Sequence, residues 1–254
     1  ITPKLELLLP VHKVAFAYKK NTGIKKNARQ HQKSRYLLKM DFQNFFHSIT
    51  PQLFFSIVKR QSIDLTEDDR YLLEQILFFC PSKRTDGKLI LSIGAPSSPL
   101  ISNVVLFFFD QSLYEVCKNQ GITYTRYADD ITFSTNIKNQ LFELPHVVKH
   151  LLVEHFSGQI TINESKTVFS SMAHNRHVTG VTITNEGELS IGRERKRYIS
   201  SLIHRFSLDQ LPDEDRRYLQ GLFSFACDIE PIFKQRMIKK YSLATINKII
   251  TDIR

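Results

Sequence analysis

Asp129 and Asp130 stand side by side after Tyr127-Ala128, in a stretch from Ile122 to Ser134 rich in Thr, Tyr, Phe and Ile. That composition predicts two strands meeting in a tight turn near Ala128-Asp129-Asp130. Adjacent carboxylates at a turn repel each other, and a bound divalent cation removes that penalty. By itself such a pair is also an ordinary turn choice. Asp68-Asp69 falls instead in the first turn of a predicted helix, where acids favour the helix dipole. Asp41 supplies a third carboxylate. It ends Tyr36-Leu37-Leu38-Lys39-Met40, a predicted buried strand, and precedes Phe42, Phe45 and Phe46. An acid in those surroundings is costly without a cation or a hydrogen-bond donor. With the strand lying beside the hairpin, Asp41, Asp129 and Asp130 converge. Three carboxylates can hold two Mg²⁺ about 4 Å apart, the arrangement for in-line phosphoryl transfer.

The elements that must position these acids are mixed helix and strand. Thr50-Pro51 reads as an N-cap and first turn, followed by Leu53, Phe54, Ile57 and Val58 at helical spacing. Thr66 with Asp69 predicts a capping box, with Leu72, Leu73, Ile76, Phe79 and Cys80 as the buried stripe of that helix. Asp86-Gly87 predicts a hairpin over Lys83 to Leu91. Pro99 to Lys118 reads as one buried apolar helix, and Pro145 to Phe156 as another. Val178 to Ile191 reads as a hairpin turning at Asn185-Glu186-Gly187. From Arg193 onward the pattern is helical, with Ile199, Leu202, Ile203 and Phe206 on the core face and a basic opposite face. Strands in the middle and helices at the end predict an α+β protein with a helical C-terminal subdomain.

The 254 residues carry a formal charge of +10, and 42% of them are hydrophobic, which suits a folded chain with a real core. The longest apolar run, Val104 to Phe109, is far short of the roughly 20 residues of a membrane span. Cys80, Cys117 and Cys227 are odd in number and widely spaced, which argues against a disulfide framework and fits a reducing cytoplasm. Nine Lys/Arg and no acid lie between Val11 and Met40, and further basic clusters surround Arg193–Arg205 and Lys234–Lys248. Single-sign blocks of this kind are the footprint of a polyanion such as nucleic acid. His146 and His150 lie one helical turn apart, with Glu154 and His155 nearby. The apolar face of that helix and the lack of a neighbouring cysteine favour core packing over zinc.

Four strings in order give a specific resemblance. Asp41-Phe42-Gln43-Asn44-Phe45-Phe46, Gly94-Ala95-Pro96-Ser97-Ser98-Pro99 with Ser102-Asn103, Tyr127-Ala128-Asp129-Asp130, and Asn163-Glu164-Ser165-Lys166-Thr167 resemble the successive catalytic motifs of reverse transcriptases. Asn27-Ala28-Arg29-Gln30-His31 and Val178-Thr179-Gly180 resemble signatures of bacterial retron reverse transcriptases. The run from Leu219 to Tyr241 resembles the end of their thumb.

The resemblance implies a right-hand polymerase fold. Residues 1–34 would be partial fingers with the Asn-Ala-x-x-His region, 35–191 the palm with a fingers-side insertion at about 61–91, and 192–254 a helical thumb. It implies Asp41, Asp129 and Asp130 as metal carboxylates, with the carbonyl of Phe42 as a further ligand for two Mg²⁺, Mn²⁺ being the alternative ion. Phe46 would be the steric gate against a ribose 2′-OH. Phe45, Gly94, Ala95 and Pro96 would line the dNTP, and Lys166 would protonate or stabilise the pyrophosphate. Asn27, His31, Arg126, Tyr127, Val178, Thr179, Gly180, Arg193, Lys196, Arg197 and Arg205 are the nucleic-acid contacts it implies. The implied partners are a structured noncoding RNA, its cDNA and an effector protein of anti-phage defence in the bacterial cytoplasm, without a membrane. Ser92 and Ile93 depart from the Pro-Gln usual before the glycine. The basic fingers hairpin expected upstream has no counterpart, and with the start at Ile1 the expectation is that part of the fingers is missing from this chain or that the fingers are unusual. Competing readings are a group II intron or diversity-generating reverse transcriptase, and a polymerase-like RNA scaffold that restrains a toxin.

Overall fold

The computed structural model describes residues 2–82 and 87–251, and the chain falls into two compact units, Ile1–His174 and Asn175–Arg254. In the first, helices α1 (Thr2–Leu8) and α2 (Ile24–His31) lead to strand β1 (Tyr36–Asp41). The one-turn α3 (Phe45–Ser48), α4 (Pro51–Arg60) and α5 (Glu67–Leu77) come next, then the paired β2 (Phe78–Phe79) and β3 (Ile90–Leu91). Helices α6 (Ser98–Val105) and α7 (Phe107–Asn119) precede the hairpin of β4 (Thr123–Tyr127) and β5 (Asp130–Thr135). Helix α8 (Leu144–Phe156), a 3-10 turn over Glu164–Lys166 and β6 (Val168–Ser171) complete this unit. The second unit has a three-stranded sheet of β7 (Arg176–Val178), β8 (Val181–Ile183) and β9 (Leu189–Ser190), then helices α9 (Arg193–Ser207), α10 (Asp213–Ile229), α11 (Pro231–Tyr241) and α12 (Leu243–Thr251).

The central sheet is antiparallel, in the order β4-β5-β1-β6. Leu38, Met40, Ile131 and Phe133 of its two middle strands share one core with Phe109 and Leu113 of α7 and Val148 and Leu152 of α8. Burial of such side chains is the main favourable term in forming this layer. Local signals act as the sequence implies: the Thr50 hydroxyl accepts from the Leu53 amide at 3.3 Å, and Thr66 with Asp69 closes a capping box. Among the described residues no single helix is long and apolar enough to cross a membrane.

Several expectations need correction. Of the predicted stripe on α5, Leu72, Ile76 and Phe79 are 55%, 50% and 40% exposed, because the helix packs through Leu77 and partly through Leu73. The partner of Ile90–Leu91 is Phe78–Phe79, so the ladder starts before the predicted Lys83; Asp86 of the predicted Asp86-Gly87 turn lies outside the described residues. The helix expected over Pro99 to Lys118 is two helices, bent by 50° at Leu106. The Val178–Ile191 hairpin groups with the C-terminal helices, and the two compact units part after His174. Within that unit the buried Glu230 carboxylate accepts from Ser190 Oγ at 2.8 Å and pairs with Lys196 at 2.7 Å, tying β9, α9 and α11 together.

Helix α2 shows what the Asn-Ala-x-x-His spacing does. Asn27, Ala28 and His31 form one buried face, and α2 packs on β4. The His31 ring bridges the sheet, with Nδ1 2.8 Å from Ser134 Oγ on β5 and Nε2 2.7 Å from Thr125 Oγ1 on β4. Complete burial pushes its pKa down to about 3. The unfolded chain therefore binds the extra proton between that value and the ordinary 6.5, and stability must fall as pH drops through this window. Relative to a His31→Gln variant, the parent is expected to lose about 2 kcal/mol more stability between pH 7 and pH 5 in denaturant titrations. Parallel pH curves for the two proteins would contradict the neutral, clamped imidazole.

Candidate active site

Backbone pairing brings the three acids together. β1 and β5 run antiparallel with Asp41 opposite Asp130, and the Phe42 amide donates to the Asp129 carbonyl at 3.2 Å. Asp129 sits in the two-residue turn between the paired Tyr127 and Asp130. The other turn residue, Ala128, has φ +57°, a region that costs an L-residue about 1–2 kcal/mol and is the usual place for glycine. The Asn163 amide donates to the Asp41 carbonyl at 2.8 Å and the Gln43 amide to the Thr161 carbonyl at 2.8 Å, which fixes the main chain on both sides of Asp41.

The electrostatics are those of crowded like charges. Burial and then the neighbouring Asp129 and Asp41 raise the pKa of Asp130 to about 6. Its carboxyl still reaches solvent, so screening tempers the effect. Asp129 is raised as well, by burial and by Asp41. The Asp41 side chain is only 10% exposed, and Lys166 Nζ donates to its Oδ1 at 2.9 Å. That hydrogen bond holds the Lys166 ammonium above its ordinary pKa. The donors are all carboxylate oxygens, the class that Mg²⁺ and Mn²⁺ take, and a lysine ammonium already sits against one of them as counter-charge. The set therefore fits a divalent cation. Among the described residues, however, no three His, Cys, Asp or Glu are already gathered at metal-ligand spacing.

Around the acids, the other expected residues divide. Phe46 is half-buried and meets Phe45 edge-on, whereas Phe45 is 3% exposed and lies tilted against Phe42 with ring centroids 5.2 Å apart. Phe45 is thus a core residue. Gly94 and Pro96 are exposed and Ala95 partly so, on the loop that enters α6. Gly94 has φ +91°, which glycine adopts without strain, and nothing lies within 4 Å of where a Cβ would stand. Tyr127 is half-buried at the base of the acid turn.

Four side chains expected at nucleic acid are enclosed instead. Arg126 has no exposed surface: its guanidinium makes a bidentate ion pair with Asp110 (2.7–3.1 Å) and reaches Asn103 and the Ala128 carbonyl. His31 and Asn27 face the sheet as described, at 0% and 1% exposure. Val178 is buried, and Thr179-Gly180 form the two-residue turn between β7 and β8, with φ +46° and +79°. The Val-Thr-Gly triplet is therefore a tight turn with a buried anchor.

The C-terminal unit carries the basic face. Arg193, Arg197 and Arg205 of α9 are exposed, while Lys196 is partly committed to Glu230. Beside them lies a groove of about 560 Å³ lined by Lys196, Arg197, His204, Arg236, Lys240 and Tyr241. The contribution of α11 to this groove was not expected, because its basic residues lie far along the chain and only packing brings them beside α9. The sequence reading named Asn103 only as part of the second motif and missed Asp110, for which an acid within the most apolar helical stretch was the available signal.

Residues 1–183 match the family described as reverse transcriptase (RNA-dependent DNA polymerase). The chain is 49% identical over 239 residues to the retron Ec83 reverse transcriptase of Escherichia coli, covering 94% of this chain and 77% of that one. It is 33% identical over 242 residues to the Escherichia coli retron Ec73 reverse transcriptase, covering 92% and 75%. Among solved structures, telomerase from Candida albicans in complex with a fragment of telomeric RNA superposes with a TM-score of 0.54 at 8% identity, over 94% of this chain and 44% of that chain. The foamy viral protease-reverse transcriptase with an RNA/DNA hybrid gives 0.51 at 16% identity, over 93% and 30%. The chain thus spans less than half the length of either structural neighbour, and these likenesses speak to fold alone, which is the right-hand polymerase architecture expected from the motifs. Sequence and fold together place this chain in the reverse transcriptase family, as an RNA-directed DNA polymerase of the retron type.

Proposed function

We propose that Asp41, Asp129 and Asp130 are the catalytic carboxylates for RNA-templated DNA synthesis by two-metal phosphoryl transfer. The observation that carries this reading is the register of Asp41 against Asp130, with Asp129 held one residue away in the turn. Bound Mg²⁺, or Mn²⁺ in its place, would activate the attacking hydroxyl and neutralise the leaving pyrophosphate. The chain's own residues do the rest. The carboxylates fix where that charge is neutralised, and Lys166 stands within reach of the same corner with a positive charge for the pyrophosphate. Phe46 presents its ring as the gate against a 2′-OH, and the Gly94–Pro96 loop lets backbone approach the incoming dNTP.

The resemblance to retron enzymes carries the finer reading. The template is a structured noncoding RNA, synthesis starts from a guanosine 2′-OH, and the product is branched RNA-linked DNA. We place the protein in the bacterial cytoplasm with an effector partner in anti-phage defence. The exposed arginines of α9 and the adjoining basic groove suit the phosphates of an A-form stem, which is read by shape and backbone.

Expressed with its native locus, the full-length protein is expected to copurify with a branched RNA–DNA species. Asp129→Asn is expected to abolish that DNA and leave the RNA bound. DNA synthesis at the parent rate by Asp129→Asn would remove the carboxylate assignment, and a group II intron RNA in the purified particle would replace the retron reading. Phe46→Ala should raise ribonucleotide incorporation roughly 10-fold or more in primer extension with mixed nucleotides, and unchanged discrimination would take the gate away from Phe46. Arg193→Glu with Arg197→Glu should weaken RNA binding and lower the slope of log affinity against log salt by about 2. A parent-like slope would move the RNA off this face.

A further inference from the structure

Arg126 has an unusual set of obligations. All of its guanidinium bonds are internal. Nε and Nη2 donate to Asp110 at 2.7–3.1 Å, and Nη1 donates both to Asn103 Oδ1 at 2.9 Å and to the Ala128 carbonyl at 3.0 Å. Its main chain is also held from outside the sheet, by donation of its amide to the Val14 carbonyl at 2.9 Å and by acceptance from the Phe16 amide at 2.8 Å. Tyr124 donates to the same Asp110 carboxylate at 2.7 Å, and Asn103 Nδ2 donates to the Ala17 carbonyl at 3.0 Å. Asp110, Arg126 and Asn103 are each fully buried.

Stability alone does not call for this arrangement. A buried ion pair gains little over apolar residues of the same volume, because desolvation offsets the attraction. What an apolar substitute cannot do is grip a carbonyl. The carbonyl that Arg126 grips belongs to Ala128, whose positive φ is a strained conformation of the kind that persists only where surroundings enforce it. Asn103 stands on α6, the helix that follows the Gly94–Pro96 loop. Asp110 stands on α7, beyond the bend at Leu106. On one straight helix, residues seven apart would be about 10 Å apart along the axis, more than one guanidinium spans. The bend lets both reach it.

We propose that Arg126, held by Asp110 and Asn103, is a positioning residue: it sets the Ala128-Asp129 turn, and so the metal carboxylates, at a fixed distance from α6 and the nucleotide loop ahead of it. This rests on the reading of Asp129 and Asp130 as cation ligands. Arg126 touches neither substrate nor cation, and its effect on the reaction runs through the Ala128 carbonyl. Residues in this supporting position around a metal site characteristically change metal affinity or rate by 10–100-fold.

The test compares Arg126→Lys, Asn103→Ala and Leu152→Ala in the full-length protein. Arg126→Lys keeps a charge for Asp110 but has one ammonium where three partners need a fork. Asn103→Ala leaves the ion pair intact and removes only the link to α6. Leu152→Ala is a core truncation on α8, which carries none of the network residues, and serves as the control for loss of stability. Thermal midpoint, Mn²⁺ affinity by calorimetry without substrate, and kcat and template KM in primer extension are read for each. Arg126→Lys and Asn103→Ala are expected to lower kcat by roughly 10–100-fold and to weaken Mn²⁺ binding on the same scale, with template KM unchanged. Leu152→Ala should lower the midpoint and leave those readouts alone. If both network variants match the control in kcat and Mn²⁺ affinity, the proposal is overturned; should Arg126→Lys not fold, Asn103→Ala decides it. Asp129→Asn measured in parallel separates the two claims. An inactive Asp129→Asn beside active network variants removes only the positioning role, whereas an active Asp129→Asn removes the carboxylate assignment on which it rests.

Discussion

A guanidinium and a carboxylate without access to water must satisfy each other or cost several kcal/mol apiece. Arg126 and Asp110 meet this condition with a bidentate pair, and the remaining donor capacity of Arg126 goes to Asn103 and the Ala128 carbonyl. That single site links β4, α6, α7 and the turn that carries Asp129. The neighbouring clamps have the same character. His31 ties α2 to β4 and β5 through two hydroxyls, and the segment around Ala15 pairs with Arg126 along the open edge of β4. The hairpin is therefore fixed from its helix-packed face, from its edge and through its register with β1.

Fixing it is necessary because the acids repel one another. Asp129 and Asp130 are both raised by burial and by like charge, and nearby cations, Lys166 and Arg126 at Asp129 and Lys39 and Lys166 at Asp130, offset this in part. A mobile turn would relax by swinging the carboxylates apart into water. A rigid one retains the repulsion, and electrostatic preorganisation of this kind favours binding of opposite charge at a chosen point. The strained φ of Ala128 and the elevated carboxyl pKa of Asp130 are two expressions of the same constraint.

Much of this was legible in the sequence, for reasons that particular residues show. The turn at Ala128-Asp129 follows from composition, α4 from the Thr50 cap and its apolar spacing, and the acid cluster from an aspartate placed at the end of a buried strand. Local chemistry was less able to say which way a side chain faces. Arg126 was expected at nucleic acid from the family resemblance alone. Its burial depends on Asp110 and Asn103, which only the packing of α6 and α7 reveals. Asn27 and His31 carried a family signature whose spacing, i to i+4, is equally that of a packed helix face, and packing is what it serves. The stripe on α5 failed for the opposite reason: its periodicity was helical, but no described element covers Leu72 and Ile76.

The central claim is that Asp41, Asp129 and Asp130 act as one cation-holding unit in DNA synthesis. Electron paramagnetic resonance of the full-length protein with RNA template, DNA primer, a non-reacting dNTP and Mn²⁺ addresses it directly. The account predicts two bound Mn²⁺ per chain, magnetically coupled as a pair about 4 Å apart, with the coupling lost in Asp41→Asn. A spectrum of uncoupled ions, or a coupled pair that persists in Asp41→Asn, would contradict it.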